Sequence, residues 1–432
     1  MRLILFISLI GSSLFISIAR PFFGLLVFSW LAYMRPQNWI WGAADWRFSY
    51  FIALALLAGC LFSAGKEKFF VKTRENYLLI ALFIMFAIST VFSMWPGQSF
   101  PKLLEMGKIF LIATITGGLV NSKNRFKYLC WIITFSLGTL AINGAIKGVL
   151  FGWHLHGPAG SMIGDNNDFA LALNMILPFV LYLGLTEKTK WIKYLFYGAF
   201  PFIVLAIIYT FSRGGFIGLC AVGFFLAIRS RRKFIGIGIF AAALLLLMAF
   251  TPQEHKERME TIKTYEEDKS AMGRIYAWQA AWGMAKSRPL TGVGFRNFLM
   301  AFPQYHWFEP RVAHNSYLQI LAENGFIAFS IFLLLLFSCI KKLRQLRKTF
   351  PYSANNAWIH NYSNMLEIGF IGYMVSGMFL SRGDFDLLYQ FIGMTVALDR
   401  IAKNSLKKNV GRKDGKLNIR QNPKSLHWGA EI

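Results

Sequence analysis

Acidic residues are scarce in this sequence: 21 Asp and Glu stand against 46 Lys and Arg, and charged residues make up only 16% of the 432. Soluble globular domains carry about 25% charge, so an ordinary soluble fold is excluded at the outset. Cysteine is scarce too. Cys60, Cys130, Cys220 and Cys339 all lie inside apolar runs, which excludes a disulfide framework. No internal repeat is visible, which argues against solenoids and weakens the case for a transporter built from paired repeats. No glycine-rich turn follows a strand pattern, so a nucleotide-binding loop is not indicated.

What the chain has in abundance is apolar sequence, with 55% hydrophobic and 17% aromatic residues and a mean hydropathy of +0.44. Several runs exceed the ~18 residues a helix needs to cross a bilayer core. Backbone groups in lipid must be satisfied within the segment, so these runs predict an all-α, polytopic membrane bundle. The expected spans are roughly 3–34, 49–64, 77–94, 105–121, 128–147, 169–186, 194–211, 214–229, 234–250, 317–340, 364–380 and 386–399, about twelve crossings. The first is the least regular. It is long for one helix and short for two, and Arg20-Pro21 divides it; a single kinked helix keeps both termini cytoplasmic, and it reads as a retained anchor.

The net charge of +25 follows the same topology. Basic residues cluster in alternate loops, at Lys66–Arg74, Lys123–Lys127, Lys188–Lys193, Arg229–Lys233 and Lys341–Lys348, and in the tail, which includes Lys407, Lys408, Arg412 and Lys413. Intervening loops hold one or two, such as Lys102, Lys147, Arg213 and Arg382. This positive-inside pattern places the basic loops in the cytoplasm of a bacterial inner membrane. Anionic membrane lipids are the expected partner of the tail, and nucleic acid is not.

The chain divides into N-terminal membrane helices (1–150), a core (151–345), C-terminal membrane helices (346–399) and a basic cytoplasmic tail (400–432). Within the core, residues 251–316 form a long extracytoplasmic loop with Pro252, Pro289, Pro303, Pro310 and the acidic cluster Glu266-Glu267-Asp268. Residues 271–287 predict a helix whose apolar face is Ile275, Trp278, Ala281, Trp282 and Ala285. Long structured loops are usually functional.

Three polar clusters fall on the loop side. Ser212-Arg213-Gly214-Gly215 is a whole turn between two spans; Arg213 there could hold an anion or simply snorkel to headgroups. Gly273-Arg274 opens the loop helix, and Pro289-Leu290-Thr291-Gly292-Val293-Gly294 after it reads as a turn. A guanidinium suits phosphate because its planar fork makes two charge-assisted hydrogen bonds at once, though a solvated helix arginine is the commoner case. The third cluster is His314-Asn315-Ser316-Tyr317, with Glu323-Asn324-Gly325 beyond it. The positive end of the helix dipole disfavours imidazolium, so His314 is expected neutral near pH 7 and able to take a proton from a hydroxyl. The ordinary reading is a helix cap at Asn315 or Ser316 with His314 at the interface.

Two weaker signals remain. His154, His156 and Gly164 through Asp168 make a polar loop before span 169–186, with Asp165 and Asn166 as substrate-facing candidates and Asn167 or Asp168 as helix caps. Asp384-Phe385-Asp386 spells a carboxylate pair, a sparse ligand set for a metal.

In their order and spacing these motifs resemble the O-antigen ligase/polymerase superfamily. The match runs over about residues 160–340, through Ser212–Gly215, Gly273–Trp278, Pro289–Gly294 and His314–Phe326. The N-terminal stretch, from Arg20-Pro21-Phe22-Phe23-Gly24-Leu25 through Tyr33-Met34-Arg35-Pro36-Gln37-Asn38, resembles O-glycosylation ligases associated with exosortase systems. The resemblance implies a helical bundle with a periplasmic loop over the site. It implies a glycosyltransferase that takes a glycan from undecaprenyl pyrophosphate on the periplasmic face and passes it to lipid A-core oligosaccharide or to a protein hydroxyl. The family's two essential arginines and its histidine fall on Arg213, Arg274 and His314. Ser212, Asn315, Tyr317 and Glu323 are secondary candidates. The sugar arrives already activated, so no nucleotide, metal or other cofactor is expected; the Asp384/Asp386 pair alone leaves room for a metal. A Wzy-type polysaccharide polymerase is the nearest alternative, and a transporter or flippase for a lipid-linked anion is the alternative of another class.

Overall fold

The structure, a computed structural model, describes residues 1–44, 46–63, 67–230, 232–250 and 269–421. Lys66, residues 251–268 with Pro252 and the Glu266-Glu267-Asp268 cluster, and the end of the tail lie outside the described residues, as do the side chains of Lys407, Lys408, Arg412 and Lys413. Among the described residues every regular element is a helix. The longer ones are α1 (Arg2–Ala19), α2 (Pro21–Met34), α3 (Phe48–Phe62), α4 (Arg74–Val91), α5 (Pro96–Leu119), α6 (Lys123–Phe151) and α7 (Asn166–Thr186). They continue with α8 (Lys190–Tyr209), α9 (Arg213–Arg229), α10 (Lys233–Phe250), α11 (Lys269–Ser287), α12 (Ser316–Thr349), α13 (Ala357–Ser376) and α14 (Asp386–Gln421). Of these, α1, α4, α6, α7, α8 and α12 are long and apolar enough to cross a membrane. The expectation of about twelve crossings also counted shorter apolar helices, α3 and α10 among them, and took α1 and α2 together as one.

The divided first span is two helices. Pro21 occupies the first turn of α2, where its missing N–H costs nothing, and it holds Arg20 extended (φ −136°, ψ 85°), which ends α1. The chain then reverses. Phe6 and Trp30 meet at a tilt with ring centroids 6.4 Å apart, and the open face of Gly24 lies against Ser17. This hairpin returns Met1 to the same end of the bundle as Met34, which corrects the kinked-helix reading.

The bundle is organised around α7, 83% of whose membrane-length window is buried and which packs on α6, α8, α9 and α13. The loop helix α11 packs on α12 over a separate small core of Ala277, Ala280, Ala281, Met284, Phe298 and Phe302. Its buried face therefore differs from the expected one. Ala281 and Ala285 are buried as expected, but Trp278 and Trp282 are 36% and 47% exposed. Small alanines let the two helices approach closely, while Trp278 reaches round the edge and donates to the Ala313 carbonyl at 3.0 Å. Trp282 meets Phe326 edge-on.

The two glycine motifs interlock. α12 is interrupted at Gly325 (φ 78°, ψ 178°), and the Pro289–Gly294 segment lies along the break. Val293 and Gly294 donate to the carbonyls of Ala322 and Glu323 at 3.0 Å each, and Phe326 donates to Pro289 at 2.8 Å. Gly292 (φ +64°) has only 2.3 Å between its absent Cβ position and the Glu323 backbone. The turn expected from Pro289–Gly294 is thus a splint across a broken helix.

Candidate functional site

The candidate residues sit at the end of the bundle where α7, α9 and α12 begin. Asp165 caps α7 by accepting from Asn167 N–H at 2.8 Å. The cap is therefore two to three residues before the positions expected, which leaves Asn166, Asn167 and Asp168 to bond to other parts of the chain. Asn166 donates to the Thr210 carbonyl at 2.8 Å. The Asn167 side-chain oxygen accepts from Ser212 Oγ at 2.7 Å. The buried Asp168 forms an ion pair with Arg382. Burial alone would lower the Arg382 guanidinium, but its contact with Asp168 more than offsets that and raises it.

The Ser212–Gly215 turn is held from several sides. Ser212 Oγ caps α9 at Gly215 N–H (2.9 Å), and Asn174 of α7 donates to the Gly215 carbonyl at 2.8 Å. His154 stacks on Phe211 with ring centroids 4.2 Å apart. The absent Cβ of Gly214 faces Phe379 at 2.6 Å, so the turn abuts the 379–385 loop. Arg213 is the first residue of α9, half-buried beside these contacts.

The same 379–385 loop receives the histidine segment. His314 has left-handed backbone (φ 46°), and its N–H donates to Ser381 Oγ at 2.8 Å. Ser316 Oγ donates to the Leu380 carbonyl (2.7 Å) and accepts from Arg382 N–H (3.0 Å). Burial, then the charges of Arg274 and Arg311, hold His314 below its ordinary value, against an opposing pull from Asp165. The direction is the one expected from the sequence, but burial and two guanidinium groups are the causes. Burial and these charges together favour the neutral imidazole.

Arg311 was not singled out from the sequence. Its guanidinium lies 4.4 Å from the Phe308 ring and crosses Gly273, where an added Cβ would come within 1.5 Å of it. The glycine of the Gly273-Arg274 pair is thus required by the arginine opposite it. An arginine after Pro310 in an irregular stretch carries no periodic signal by which to find it.

The secondary candidates have structural partners. Asn315 caps α12 through Tyr317 and Leu318 N–H at 3.0 and 3.1 Å. Tyr317 Oη donates to the Met374 carbonyl at 2.9 Å. Glu323 is buried and accepts from Arg296 N–H at 3.0 Å and from Gln319 at 3.2 Å, so it braces the splint. Asp384 and Asp386 face different surroundings: Asp384 lies 3.5 Å from Arg296, whereas Asp386 lines a cavity beside α2 and α5.

These features define a multi-pass helical membrane protein with a cationic, histidine-bearing site at one end. Residues 198–333 match the O-antigen ligase family, and residues 1–183 match a family of unknown function (DUF5935). The first match covers about a third of the chain, makes that stretch similar to O-antigen ligases, and contains Arg213, Arg274 and His314. No curated protein matches the chain.

Proposed function

We propose that the protein transfers a glycan from undecaprenyl pyrophosphate to an acceptor hydroxyl, on the periplasmic face of the inner membrane. The observation that carries this reading is a buried His314 held below its ordinary value by burial and by the charges of Arg274 and Arg311, within the region matched to the ligase family. Arg213 and Arg274 hold the pyrophosphate, and His314 takes the proton from the acceptor hydroxyl. The hydroxyl oxygen forms the new bond to the anomeric carbon as the bond to pyrophosphate breaks. The leaving group departs with the electron pair, stabilised by the guanidinium groups. A direct displacement of this kind inverts the anomeric centre. No step is routed through the carboxylates, since Asp384 already faces Arg296.

A carrier for a lipid-linked anion would need the cations but would have no use for a neutral base. A Wzy-type polymerase would share the donor and differ in the acceptor. The deciding assay gives purified protein a lipid-linked glycan with lipid A-core, a protein substrate or a second lipid-linked glycan, each with and without EDTA. Transfer to one acceptor that survives EDTA is the expected result. Loss in EDTA that returns on adding Mg²⁺ or Mn²⁺ would move the chemistry to the carboxylates.

A further inference from the structure

A cavity of about 720 Å³ opens between α2, α3, α5, the start of α14 and the loop before α7. Its volume is in the range, ~300–1,000 Å³, of sites that take small organic ligands. Arg213, Arg274 and His314 are not among the residues that line it, and the reaction derived above makes no use of it.

The walls are built by specific contacts. Arg35 closes α2 in a left-handed conformation (φ 47°), and both Arg35 and Asn38 donate to the Ala159 carbonyl, at 3.1 and 2.9 Å. The Arg35 guanidinium lies across Gly160, 2.9 Å from where a Cβ would stand. At the floor, Gln390 of α14 accepts from Tyr33 Oη and donates to Ser29 Oγ at 2.9 Å. Asp386 lies one turn before Gln390 on the same helix face, and both line the cavity.

The lining mixes three kinds of group. Trp46, stacked on Phe48, and Tyr50, with Lys108 over its ring, bring aromatic surface; Asp386 and Glu105 bring carboxylates, and Arg47 and Lys108 bring cationic donors. Gln37 is only 2% exposed, and its Oε1 has no hydrogen-bond partner although it lines this space. A buried acceptor left unsatisfied costs about 1–3 kcal/mol, which a ligand donor would recover. A simple anion would be repelled by the two carboxylates, and a lipid tail would waste the polar groups. A sugar fits the whole set, because its C–H face stacks on aromatic rings while its hydroxyl rim needs donors and acceptors together.

The position suits an acceptor. Ala159, Gly160 and Met162 form one wall, and the same loop runs on directly to Asp165 and Asn167 of the site above. Met162 also touches the smaller pocket that holds Arg296 and Asp384. We propose that this cavity is a saccharide-binding site that seats the acceptor, making a sugar hydroxyl, not a protein side chain, the group that attacks. The assignment of the cavity to the acceptor rests on the transferase reading; the binding of saccharide does not.

The test uses full-length protein in detergent or nanodiscs and saturation-transfer NMR. The probes are lipid-free core oligosaccharide and a set of small saccharides bearing neutral, amino and uronic-acid sugars. The wild type should bind at least one probe, and Trp46→Ala and Gln37→Leu should each weaken it about tenfold or more. Gln37→Leu keeps size and burial, so a fold defect is separable by thermal midpoint. His314→Ala should bind the probe as the wild type does. In transfer assays the two cavity variants should raise the acceptor KM and leave kcat and donor KM nearly unchanged. No binding of any probe, binding indifferent to both variants, or displacement of the probe by undecaprenyl phosphate would each overturn the proposal. Binding without transfer to any acceptor would instead sink the transferase reading and leave the saccharide site standing.

Discussion

The two ends of the bundle both gather arginines, but around different groups. At the end where α9 and α12 finish, one buried carboxylate collects three: Glu367 of α13 meets Arg229 at 3.2 Å, Arg344 at 2.7 Å and also Arg347. Nearby, Lys342 joins Glu75 at 2.7 Å and Asp399 at 3.4 Å, and Arg125 clasps Glu67 at 2.7 Å. The anion at that end is part of the protein. At the opposite end, carboxylates pair with Arg382 and Arg296, and Arg274 and Arg311 bear on a histidine, His314, which burial and their charges hold below its ordinary value. Cations gathered around a carboxylate hold helices together; in the proposed reaction, the cations near His314 meet an anion that arrives.

The comparison can be broken most decisively at the base. His314→Ala should bring transfer to background while donor binding stays near that of the wild type, because a general base acts on the acceptor proton. Next come the cations. Arg213→Ala and Arg274→Ala should each lower transfer by ~10²-fold or more, the scale of losing one preorganised charge stabiliser. Arg213→Lys should recover only part, since an ammonium keeps the charge but lacks the fork. Steady-state kinetics on purified variants measures all of these.

At the other end the expected effect is on stability. Glu367→Ala leaves Arg229, Arg344 and Arg347 facing one another and should cost about 3–5 kcal/mol, read as a lowered midpoint of unfolding. Transfer per folded molecule should barely change. If the loss fell on transfer with stability intact, the two ends would not differ in the way described.

The pH profile sharpens the contrast. Transfer requires neutral His314, so it should fall as the pH drops through a value below the ordinary ~6.5 of histidine. Arg311→Ala removes a charge that holds His314 down, so the acid limb should move to higher pH; Asp165→Asn removes the opposing pull and should move it lower. The linkage runs the same way: a histidine depressed in the folded state makes acidification destabilising, beginning as the pH passes down through the unfolded value. The smallest effect is expected at Ser212→Ala, which removes the α9 cap at Gly215 and should cost about 1 kcal/mol.

Much of this could be read from sequence because it rests on local periodicity. The apolar runs mark the bundle, and α11 lies within a residue or two of where its 3- and 4-residue spacing put it. The polar motifs flag the site end because charge is rare in such a chain. What was hidden depends on tertiary approach. Nothing local tells that alanines and not tryptophans form the packed face of α11, nor that Gly273 is small because Arg311 crosses it. The Arg20-Pro21 reversal was ambiguous for a related reason: proline stops one helix and starts another equally well, and only packing of α1 on α2 decides between a kink and a hairpin.

The central claim is that the cations at the histidine end bind the pyrophosphate of a lipid-linked donor. Its most direct test is equilibrium binding of undecaprenyl pyrophosphate to the purified protein, by native mass spectrometry or by displacement of a fluorescent analogue. Wild type and His314→Ala should bind alike, and Arg213→Ala and Arg274→Ala should each bind at least tenfold more weakly. Equal affinity across all four proteins would contradict the account and leave Arg213 and Arg274 as interfacial residues of the bundle.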